Sequence, residues 1–94
     1  MMVLPEIKDA LAGKNVKIIV DCGIASGADV YKALAIGADA AAVGRSMLPS
    51  LEKEGAPGVE KFIKGVGDEL RYIMSFTGFA SVPEIDDSCL FYTA

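Results

Sequence analysis

The chain has 94 residues, with nine Lys plus Arg against thirteen Asp plus Glu, two Cys and no His. That length allows one domain, and a net charge of −4 is the wrong sign for a nucleic-acid glove. Without His, Ser–His–Asp triads and His-based metal sites are excluded.

An apolar share of 52% with 23% charged residues describes a folded chain. Cys22 and Cys89 form neither a CxxC pair nor a disulfide framework. No run of 18 apolar residues occurs and no charged-then-apolar leader opens the sequence. The expectation is a cytoplasmic, reducing setting, with no membrane span and no nucleic-acid partner.

In chain order, Pro5 to Leu11 reads as a short helix that Gly13 and Asn15 end. A β-branched run follows in Val16-Lys17-Ile18-Ile19-Val20, which predicts a strand over about 16–21 buried on both faces. A helix is expected over about 27–36, because Val30, Ala33, Leu34 and Gly37 recur on one face. Ser26 or Asp29 suits its N-cap, and Gly37 its C-terminal end. A second strand is expected over about 40–44, parallel to the first across a right-handed crossover. Pro49, Gly55 and Pro57 suggest a loose stretch over 46–57. A long helix is then expected over about 58–77, with Val59, Phe62, Ile63, Val66, Leu70, Ile73, Met74 and Thr77 on its apolar stripe. Gly78 stops it, and a turn is expected around Asp86-Asp87-Ser88.

The class is therefore α/β, but two strands are not a sheet that stands alone. Bare strand edges predict a homo-oligomer or association with a complementary segment.

Both strands end in a glycine-bearing turn, and in α/β proteins ligands sit at those carboxyl ends. Gly23 and Gly44 let backbone N–H groups approach a ligand, and Arg45 can add a charged fork. One reading is a phosphate site between adjacent strands. The other is that Gly23, Gly27, Gly37 and Gly44 serve only turns and caps.

The stretch from Asp21 to Arg45 resembles, without a gap over 25 positions, the C-terminal signature of the FMN-dependent α-hydroxy acid oxidases and dehydrogenases, the glycolate oxidase and L-lactate oxidase group. Leu4-Pro5-Glu6-Ile7 upstream, and Gly58-Val59-Glu60, Asp68-Glu69-Leu70 and Met74 to Gly78 downstream, extend the likeness over roughly residues 3–86. The resemblance implies a partial TIM (β/α)8 barrel comprising its last two βα units. Residues 1–94 would then be one C-terminal fragment whose FMN phosphate segment is 21–45. It implies that Asp21 bonds the ribityl hydroxyls and that Gly23, Gly44 and Arg45 hold the phosphate. The activity implied is oxidation of a small L-2-hydroxy acid to the 2-oxo acid.

Cys22 stands where the family has Gly, and Ala25 where it has an Arg that binds the phosphate. Losing that charge-assisted contact costs about 1.5–3 kcal/mol, so weaker FMN binding, or another cation in its place, is expected. Lys32 is expected on the outer helix face. The family's general base, a His on the loop after strand 6, has no counterpart here, so the chain alone is expected to be inactive. A non-catalytic phosphate- or nucleotide-binding module, or a structural remnant, are the alternatives.

Other residues read more simply. Cys22 suits a small core position, Asp29 and Asp39 suit caps and loops, and Lys32 and Arg71 suit the surface. Tyr31, Phe62, Phe76, Phe79, Phe91 and Tyr92 suit helix packing and tail docking better than flavin stacking.

Overall fold

The computed structural model describes residues 3–21 and 23–90; the readings of Cys22, Phe91 and Tyr92 lie outside the described residues. The elements are α1 (Leu4–Ala10), β1 (Ile19–Val20), α2 (Gly27–Ile36), β2 (Ala40–Ala41), α3 (Leu48–Glu54) and α4 (Ala56–Thr77). Single 3-10 turns occupy Arg45–Met47, Val82–Glu84 and Asp87–Cys89. The α/β class and the parallel pairing stand: β1 and β2 run parallel with Ile19 opposite Ala40 and Val20 opposite Ala41.

Both strands are shorter than their apolar runs. A ladder extends only as far as a neighbour does, and β2 reaches β1 no earlier than Ile18. There Asp39 N–H donates to the Ile18 carbonyl at 2.8 Å, and the Asp39 carboxylate accepts from Ile18 N–H at 2.8 Å. This side chain stands in for a strand carbonyl, which gives Asp39 a definite loop role. At the far end Ala42 N–H donates to the Val20 carbonyl at 2.8 Å.

The expectation of burial on both faces is corrected too. Ile18, Val20 and Ala41 pack toward Leu4, Ile24, Ala33 and Ala38, whereas Ile19 is 66% exposed. Among the described residues, no element covers that second face.

α2 begins with a reciprocal cap. Ser26 is extended and its hydroxyl accepts from Asp29 N–H at 3.3 Å, while the Asp29 carboxylate accepts from Ala25 N–H at 2.9 Å. Gly37 ends the helix at φ +128°. The inner side of α2 carries Tyr31, Leu34 and Ala35, which meet Met74 of α4 and Ile85 of the tail. Lys32 is exposed, as expected.

The stretch 46–57 is helical, not loose. Pro49 and Pro57 each fall in the first turn of a helix, where a missing N–H costs nothing. Gly55, at φ +68°, makes the break between α3 and α4. Along α4, Met74 is buried and Val59, Phe62, Val66, Leu70 and Ile73 are half-buried. Ile63 departs from the predicted stripe and is 60% exposed. Phe76, expected to serve helix packing or tail docking, is instead 75% exposed and meets the Tyr72 ring edge-on at 4.8 Å. The helix ends at left-handed Gly78. Beyond it, the Asp86 carboxylate accepts from Ser88 N–H at 2.9 Å, as the predicted turn requires.

Candidate functional site

Because β1 and β2 are parallel, the turns that follow them leave the sheet on the same side. Between these turns lies a cavity of about 360 Å³ lined by Asp21, Gly23, Ile24, Ala42, Gly44, Arg45 and Ser46. Four of the five sequence-predicted site residues therefore meet. The fifth, Ala25, is exposed and lines a different hollow beside Gly27, Lys61 and Phe62.

Local chain chemistry explains the positions. Gly23 adopts φ +74°, a conformation that costs other residues. Gly44 has an ordinary negative φ of −129° and leads into the turn that Arg45 opens. A Cβ added at either glycine would meet no neighbouring heavy atom within 4 Å, so both open onto free space. Arg45 is exposed. Among the described residues the ion pairs join Lys61 to Glu54 at 2.9 Å and Arg71 to Asp68 at 3.2 Å, and neither uses Arg45.

Sequence reasoning missed Ser46. Its hydroxyl donates to the Ile24 carbonyl at 2.7 Å, from the second turn to the first. The available signal was a hydroxyl residue directly after Gly44-Arg45 at a strand end.

The lining offers one cation, glycine N–H donors, one carboxylate acceptor and the Ser46 hydroxyl, whose proton goes to the Ile24 carbonyl. This suits a ligand carrying both a phosphate and hydroxyl groups. Among the described residues, no cluster of three or more His, Cys, Asp or Glu could hold a metal ion, and no helix is long and apolar enough to cross a membrane.

Comparison with known proteins fits this geometry. The family described as FMN-dependent dehydrogenase matches residues 1–92. The chain belongs to that family. The L-lactate dehydrogenase of Xanthomonas oryzae pv. oryzae is 41% identical over 87 residues, which cover 93% of this chain and 22% of that protein. The L-lactate oxidase of Lactobacillus jensenii is 43% identical over 82 residues, covering 87% of this chain and 20% of that protein. The chain thus spans about a fifth of the length of these relatives. Among solved structures, a mandelate oxidase variant with a monooxide FMN adduct superposes with a TM-score of 0.81 at 39% identity, covering 87% of this chain and 26% of that one. A flavocytochrome b2 variant with sulfite bound gives 0.82 at 35% identity, covering 89% and 22%.

FMN is the cofactor of this family of flavoprotein oxidoreductases. The residues present fit it: Gly23 and Gly44 leave room where a Cβ would otherwise stand, and Arg45 supplies the positive charge that a phosphate needs.

Proposed function

We propose that this chain is the FMN phosphate-binding part of a (β/α)8 barrel that oxidises small L-2-hydroxy acids to 2-oxo acids. In this reading β1–α2 and β2–α4 are the last two βα units of the barrel. The observation that carries the proposal is the convergence of Asp21, Gly23, Gly44 and Arg45 on one cavity at the carboxyl ends of two parallel strands.

Asp21 accepts hydrogen bonds from the ribityl hydroxyls. Backbone N–H groups at Gly23 and Gly44, with the Arg45 guanidinium, hold the phosphate. Bound FMN supplies the two-electron acceptor. Neither Gly23, Gly44 nor Arg45 abstracts a proton, and with no His in the sequence that task falls to residues outside these 94. Ala25 brings no charge to the phosphate, so the binding rests more heavily on Arg45.

The test is titration of the purified chain with FMN, followed by flavin fluorescence, with lactate then added to the loaded sample. Saturable binding is expected, and Arg45→Ala weakens it about tenfold or more, as for the loss of a hydrogen bond to a charged group. No lactate turnover is expected. Absence of saturation at millimolar FMN overturns the binding assignment, and turnover by the chain alone overturns the division of labour.

A further inference from the structure

Among the described residues, no backbone hydrogen bond joins the turn at Gly23 to the turn at Gly44. The last backbone bond between the two strands, among the described residues, is Ala42 N–H donating to the Val20 carbonyl at 2.8 Å. Gly23, Gly44 and Arg45 all lie beyond that bond. There the Ser46 hydroxyl spans the gap, donating to the Ile24 carbonyl at 2.7 Å across 22 positions of sequence. Both ends of this bond are shielded: Ile24 is 2% exposed, and Ser46 is half-buried in the turn that Arg45 opens. Ile24 directly follows Gly23 and packs with Leu4, Ala33 and Ala38 in the core. Ser46 directly follows Arg45. The bond therefore ties the residue after one phosphate-facing position to the residue after the other.

We infer that Ser46 is a positioning residue that fixes the spacing between the Gly23 and Gly44–Arg45 turns, so that both address a single phosphate. This rests on the FMN reading above. Ser46 itself need not touch the ligand. A shielded hydroxyl with one firm acceptor has its lone pairs and proton already directed, so removing it frees the second turn from the first without emptying the core.

The test compares the full chain with Ser46→Ala and Ser46→Thr, the second variant keeping the hydroxyl. FMN titration is expected to show about a fivefold rise in Kd for Ser46→Ala, the size of one neutral hydrogen bond, and near-normal Kd for Ser46→Thr. Equal affinity of Ser46→Ala and the parent chain overturns the inference, as does a loss that Thr fails to restore, which would point to packing instead.

Amide hydrogen exchange without FMN gives a second readout, independent of whether flavin binds. Amides of residues 23–25 and 44–47 exchange faster in Ser46→Ala while those of α4 keep their rates. Unchanged exchange in both turns overturns the clamp even if FMN binds. Faster exchange in a chain that never binds FMN upholds the clamp and removes only the flavin reading.

Discussion

Gly23 and Gly44 line the same cavity but differ in backbone conformation, and that difference separates two kinds of effect. Gly23 sits at φ +74°, where an L side chain costs about 1–2 kcal/mol. Gly44 sits at φ −129°, outside the left-handed region. Gly23→Ala is therefore expected to lower the thermal unfolding midpoint, and by more than Gly44→Ala does. In FMN titration Gly44→Ala still weakens binding, because its new methyl occupies open space that the ligand would use. Equal melting of the two variants would remove the backbone argument. The glycines and Arg45 were legible in the sequence because turn chemistry and charge are properties of single positions. Ser46 was not, since nothing in a hydroxyl's identity names a carbonyl 22 residues earlier.

At the scale of elements, the site is held from behind by two helices in close approach. A Cβ on Gly27 would stand 2.6 Å from both the Leu70 nitrogen and the Val66 carbonyl oxygen, and backbone atoms of α4 cannot move aside cheaply. Glu69 adds a hydrogen bond, its carboxylate accepting from Ala28 N–H at 2.6 Å. Gly27→Ala is expected to cost about 1–3 kcal/mol by overpacking, which lowers the melting midpoint by at least about 4 °C in a domain of this size. Gly65→Ala is the control. It lies within α4 with nothing near its Cβ direction, so it stabilises by about 0.5–1 kcal/mol. A calorimetric scan of the two decides whether close approach or helix propensity governs this pair. The helices α2 and α4 were readable from periodicity over ten or more residues. α3 was not, because Pro49 and Gly55, which read as loop punctuation, instead mark its first turn and its end.

For the whole molecule, shape carries the information. The chain exposes 6596 Å², against about 5,200 Å² for a compact monomer of its mass. Its radius of gyration is 14.3 Å, against about 12.4 Å expected for this length. The excess includes apolar surface: Ile19 on the uncovered sheet face, Ile63, and the Tyr72–Phe76 pair are each at least 60% exposed. Open strand edges and exposed apolar groups favour association. Size-exclusion chromatography with light scattering is expected to show a dimer or larger species, and a monomer at high concentration would count against this expectation. The sequence announced two strands too few for a sheet, yet overstated their length. Hydropathy reports which residues can be buried, not how many neighbours arrive to bury them.

The short span of the site's contacts has a consequence for how it forms. Ile19 meets Ala40 across 21 positions and Ser46 meets Ile24 across 22, whereas the Glu69 bond to α2 closes 41. Loop-closure entropy grows only logarithmically, so the longer closure costs about 0.6 kcal/mol more, but rate follows sequence separation more steeply. The cavity mouth is thus built from more local contacts than the Glu69 bond that joins α4 to α2. During synthesis the stretch from Ile18 to Ser46 emerges before α4 does, and it already contains both ends of the bonds that define the cavity.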